Sequence, residues 1–144
     1  MNTDKSIVLT SSIKLLNEKL HFEGIVEGNA PISIDYTPPL GDNLGYTSLE
    51  LFLLSLSSCT GSAILVLLRK MNKQIDQFEI ASIGKRKENH PTGFSAISLQ
   101  VQIKAKDLNN NEMEKVIGMI ESICPVLSML DKSIKTTITF KINH

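Results

Sequence analysis

The run LELFLLSLSSCTGSAILVLL, Leu49 to Leu68, constrains this chain more than any other stretch. It is a helix by its own signals. Thr47 suits an N-cap and Glu50 stands three residues on, the spacing of a capping box. Leu, Ile, Val and Ala dominate as far as about Met71, and Arg69, Lys70 and Lys73 favour a helix C-terminus. Twenty residues also match the thickness of a bilayer. Six of those positions are Ser, Thr or Gly, however, and Glu50 lies inside the run. Segments of strand character flank it on both sides. A helix apolar on nearly every face fits a soluble protein only when it is covered all round. One small sheet covers one side, so the run is expected to lie between its own sheet and a second surface, most simply another copy of the chain.

The rest of the chain reads as one α+β domain spanning residues 1–144, a length able to bury a core without staples. Ile13 and Leu15, then His21–Glu27, then Ile32, Ile34 and Tyr36 mark a three-stranded meander, with turn chemistry at Asn17-Glu18 and Glu27-Gly28-Asn29. TPPLGDNLGY is a loop. Past the long helix, strands are expected around Ile75–Lys87 and Phe94–Ala105. The second alternates Ile97, Leu99, Val101 and Ile103 with polar neighbours. DLNNNEMEKVIGMIESI is an amphipathic helix that must break near Cys124, because Pro125 disfavours helical backbone in the residue before it. PVLSML reads as a new short helix with proline at its first position, and SIKTTITFKI as a closing strand. The order is β-β-β-α-β-β-α-α-β.

Fifteen basic residues balance fifteen acidic ones, and arginine occurs only at positions 69 and 86. That pattern offers no electrostatic footprint for nucleic acid or an anionic membrane. The N-terminal segment has no secretory-signal pattern, and two cysteines cannot build a disulfide scaffold, so a cytoplasmic setting with reduced thiols is expected. His21, His90 and His144 share no metal-ligand spacing, and nucleophile-elbow, phosphate-loop and dinucleotide motifs are absent. No metal and no cofactor are expected.

The chemistry therefore rests on Cys59 and Cys124. Read alone, each is equally an inert filler of a small hole, since free cysteine is among the most buried residue types. Ser55, Ser57, Ser58, Gly61, Ser62 and Ala63 around Cys59 permit close approach of a backbone or a substrate. Cys124 falls at the N-cap of the short helix, where unpaired N–H groups favour a thiolate.

The segments GYTSLELFLLSLSSCTGSAILVLLRK and IESICPVLSML resemble the two cysteine segments of the OsmC/Ohr family (osmotically inducible protein C and organic hydroperoxide resistance proteins), in the branch reading Cys-Pro-Val. The resemblance implies an OsmC-like fold: an intertwined homodimer with long central helices flanked by sheets. It also implies a thiol peroxidase, with Cys59 attacking an organic hydroperoxide, Cys124 resolving the sulfenic acid to a disulfide, and an external dithiol as reductant. Peroxidase members carry a carboxylate one position nearer the helix start than Glu50, where this chain has Leu49. They also use an arginine from the N-terminal strands, where this chain offers only lysines such as Lys14 and Lys19. Glu50 is the accessory candidate, although nine helical residues place it on the side opposite Cys59 and favour its capping role. The alternative is a non-peroxidatic relative that binds a small apolar or thiol-reactive ligand at the dimer interface.

Overall fold

The computed structural model describes Lys5 and residues 7–144, which form two compact units, one ending at Leu51 and the other running from Phe52 to His144. The element order is that expected: β1 (Ser12–Leu15), β2 (Phe22–Ile25), β3 (Ile32–Ile34), α1 (Ser48–Lys70), β4 (Gln77–Arg86), β5 (Phe94–Lys104), α2 (Asn110–Ile123), α3 (Pro125–Ser128) and β6 (Lys135–Asn143).

In the first unit β1, β2 and β3 form an antiparallel meander. The loop after β3 is built around Asp35, a residue that the sequence patterns do not single out. Its carboxylate accepts the backbone N–H groups of Tyr36 at 2.7 Å and of Asp42 and Leu44 at 3.1 Å each. Burial pushes the Asp35 carboxyl up, but the backbone donors of Leu44, Asp42 and Tyr36 outweigh it and leave it below its ordinary value. The start of α1 carries the capping box. The Thr47 N–H donates to Glu50 Oε1 at 2.8 Å, and the Glu50 N–H donates to Thr47 Oγ1 at 3.2 Å.

In the second unit β4 pairs antiparallel with β5, and β6 pairs parallel to β5. A parallel pair cannot be joined by a tight turn, and α2 with α3 supplies the required crossover. The β5 alternation buries Ile97, Leu99, Val101 and Ile103. On α1 the residues Leu56, Thr60, Ile64 and Leu68 recur every fourth position and are buried together. Ile64 and Leu68 join Val101, Ile103, Leu108, Met113, Val116, Ile120 and Cys124 in one core. Each large aliphatic side chain fully buried there contributes about 1.5–3 kcal/mol. Gly61 lets α1 approach β4, because a Cβ at that position would stand 3.1 Å from Phe78 Cε1 and 3.3 Å from Ile80 Cδ1.

α2 starts on a second capping box, Asn109 with Glu112. Lys73 ties the end of α1 to it, reaching Glu112 Oε1 at 2.9 Å and the Asp107 carbonyl at 2.5 Å. The α3 helix is shorter than PVLSML would allow: it ends at Ser128, whose hydroxyl donates to the Pro125 carbonyl at 2.7 Å.

Candidate active site

The second unit brings together two cysteines that stand 65 positions apart in the chain. Cys59 lies on α1, beside the close approach at Gly61. Cys124 is fixed by the proline that follows it. Pro125 has no N–H and pushes the preceding residue out of helical backbone, so α2 stops at Ile123 and α3 begins at Pro125. Cys124 is left between them with φ −89° and ψ 108°. Its N–H donates to the Ile120 carbonyl at 2.8 Å and its carbonyl accepts from the Ser128 N–H at 3.0 Å. The residue is thus C-cap of one helix and N-cap of the next, and its Sγ accepts the Leu127 N–H at 3.4 Å.

The two sulfurs are 2.9 Å apart, with the Cys124 thiol donating to Cys59 Sγ, and both cysteines are free. A disulfide holds its sulfurs at about 2.05 Å, so closing the pair needs a shift of less than about 1 Å. Access is unequal. Cys59 is half-buried, whereas Cys124 is 1% exposed. Burial pushes the Cys59 thiol above its ordinary 9.0, and the hydrogen bond from Cys124 adds to that rise. The Val126 backbone N–H pulls it the other way. Cys59 therefore favours its thiol form, and an attacking thiolate there needs stabilisation beyond the Val126 N–H.

Thr60, next to Cys59, is fully buried, and its Oγ1 lies 4.0 Å from Cys124 Sγ. Sequence reasoning missed this contact. The signal was present as the one hydroxyl in the buried stripe Leu56, Thr60, Ile64 and Leu68. Glu50 is placed where its helix-start signal put it. The Thr47 N–H and hydroxyl hold its carboxyl below the usual range and commit it to the cap. Of the candidate lysines, Lys19 is paired with Asp42 at 2.6 Å and Lys14 stands exposed on β1.

A helix-borne cysteine facing an N-cap cysteine, over a three-stranded sheet that follows a separate β-meander, defines an α+β dithiol protein. The family model for OsmC-like protein matches residues 41–139, and the chain belongs to that family. Among curated proteins, Protein YhfA of Escherichia coli K12 is 22% identical over 95 residues, covering 65% of this chain and 71% of the relative. An OsmC-like protein from Mycoplasma pneumoniae superposes with a TM-score of 0.83 at 19% identity, covering 96% of this chain and 99% of that one. The organic hydroperoxide resistance protein OhrB of Bacillus subtilis gives 0.66 at 17% identity, over 94% and 98% of the two chains. At such identities the solved structures share the fold with this chain.

Proposed function

We propose that this chain is a thiol-dependent reductase of organic hydroperoxides, with Cys59 as the peroxidatic and Cys124 as the resolving cysteine. The observation that carries the reading is the 2.9 Å separation of the two sulfurs, one partly open to solvent and the other buried. The Cys59 thiolate attacks the terminal peroxide oxygen, the O–O bond breaks, and the alkoxide leaves and takes up a proton. Cys59 becomes a sulfenic acid. The Cys124 sulfur attacks Cys59 Sγ, the S–O bond breaks, and water leaves as the disulfide forms. An external dithiol returns both cysteines to thiols and is itself oxidised to a disulfide. No metal or cofactor enters these steps, and the setting proposed is the reducing cytoplasm.

The working unit proposed is a homodimer. Leu54 and Val66 are 53% and 48% exposed on α1, and with Ser58 and Ser62 they form a stripe two residues out of phase with the buried one. Ile13, Leu15, Ile25 and Ile32 are exposed on the meander. Apolar surface of this extent on a soluble chain calls for a partner surface.

A second reading has its own support. The raised Cys59 thiol, Leu49 in place of the peroxidase carboxylate, and the lack of any arginine before Arg69 favour a non-peroxidatic relative holding a small apolar or thiol-reactive ligand. Cumene hydroperoxide and hydrogen peroxide separate the two. The reduced protein is mixed with a stoichiometric amount of each, and thiol loss and intact mass are followed. The reductase loses both thiols rapidly, faster with the organic peroxide. Cys59→Ser abolishes the reaction, and Cys124→Ser stalls at a sulfenic acid trappable by dimedone. Thiols that survive for many minutes would falsify the reductase reading in favour of the ligand-binding one.

A further inference from the structure

A hydroxyl buried in an apolar core costs free energy unless it has a partner. Thr60 is 0% exposed within a stripe otherwise made of Leu56, Ile64 and Leu68, and the partner it has is Cys124 Sγ. The 4.0 Å separation is long for a neutral thiol. Hydrogen bonds to a charged acceptor are shorter and roughly twice as strong, so the same pair tightens once the sulfur is an anion. Cys124 is closed to solvent, whereas Cys59 is not. A reductant can reach only the Cys59 side of an oxidised pair without local opening.

We propose that the Thr60 hydroxyl is a positioning group that donates to the Cys124 thiolate, making Cys124 the sulfur that leaves when the Cys59–Cys124 disulfide is reduced. This rests on the dithiol reading of the pair but not on peroxide turnover. One thiolate of an external dithiol attacks Cys59 Sγ. The S–S bond breaks, its electron pair passes to Cys124 Sγ, and a mixed disulfide is left on Cys59. The reductant's second thiol then attacks its own sulfur in that mixed disulfide and releases Cys59, leaving the reductant oxidised. The Thr60 proton stays on oxygen throughout. Its work is to help the Leu127 N–H hold the leaving sulfur's charge in a site closed to solvent, which lowers the barrier to S–S cleavage.

The test uses the full chain oxidised with diamide, so that no peroxide is involved. Wild type, Thr60→Val (near-isosteric, without the hydroxyl) and Thr60→Ser (hydroxyl kept) are compared for reduction by dithiothreitol across pH. A parallel reaction with a monothiol, mapped by peptide mass, shows which cysteine carries the adduct. The adduct is expected on Cys59. Thr60→Val should be cleaved about tenfold more slowly, as the loss of one hydrogen bond to a charged group implies. Its disulfide should also become harder to reduce by about 30 mV, the tenfold equivalent for a two-electron couple. Thr60→Ser should restore most of both. The potential difference should widen with pH, because a thiolate on Cys124 keeps the Leu127 N–H in every variant but has the Thr60 hydroxyl only in wild type and Thr60→Ser. A defect of packing alone would affect rate and potential equally at every pH, and such a result overturns the proposal. So do an adduct on Cys124, a Thr60→Ser protein that behaves like Thr60→Val, or a Thr60→Val protein reduced as fast as wild type. Failure of diamide to form the disulfide at all overturns both this assignment and the dithiol reading. A disulfide that forms in a protein inert to peroxide removes only the peroxidase reading.

Discussion

At the scale of single residues, the site is decided by who neighbours each sulfur. Cys59 meets burial, the Cys124 thiol and one backbone N–H, and the first two outweigh the third. A thiol raised in the folded state gives up its proton later than the same thiol in the unfolded chain. Its contribution to stability is therefore complete below the ordinary value of 9.0 and lost as pH rises through the folded value. The reduced protein should lose stability above pH 9.0, and Cys59→Ser should flatten that decline. Urea denaturation on either side of this pH measures it, and parallel pH dependences for wild type and variant would sink the assignment. Thr60 and Asp35 show what residue-level reading misses. Both are polar residues whose partners are set by chain folding, Thr60 by a sulfur 64 positions away and Asp35 by a loop that returns to it.

At the scale of elements, most of the structure was legible. The capping box at Thr47–Glu50 starts α1 and Pro125 divides α2 from α3, as their patterns declare, whereas the second box, Asn109–Glu112, emerged only in the structure. The β5 alternation declares which face is buried. The β1–β3 meander was legible, but the pairing of β6 was not, because β6 lies parallel to β5 for reasons of crossover and core packing that no strand carries in its own pattern. How near α1 comes to β4 is likewise an inter-element property, and Gly61 controls it. A Cβ at 3.1 Å from Phe78 opposes the helix propensity gained by replacing glycine, about 1 kcal/mol. Gly61→Ala should therefore be close to neutral. Gly61→Val overpacks the contact and should destabilise by about 2 kcal/mol in chemical denaturation. A valine variant as stable as wild type would mean that α1 and β4 are not tightly apposed there.

For the whole molecule, the open question in the sequence was what covers an all-apolar helix. Within one chain the Leu56, Thr60, Ile64 and Leu68 stripe is buried together with Gly61, while Leu54 and Val66 remain open. Light scattering should report a dimer for the wild type. Leu54→Lys combined with Val66→Lys should halve the mass while leaving the far-ultraviolet circular dichroism unchanged, since neither side chain belongs to the core. A double variant that keeps the wild-type mass would place the partner surface elsewhere. By itself the sequence determined the element order, the start of α1 and the break between α2 and α3, because capping, proline placement and residue periodicity are local and act within a few positions along the chain, and the resemblance of the two cysteine segments pointed to the family. Only the tertiary structure decided that the two sulfurs meet at 2.9 Å, that one is open and the other closed, and that a buried threonine hydroxyl lies 4.0 Å from the closed one. Those are distances between segments far apart in the chain, set by how helices pack on a sheet.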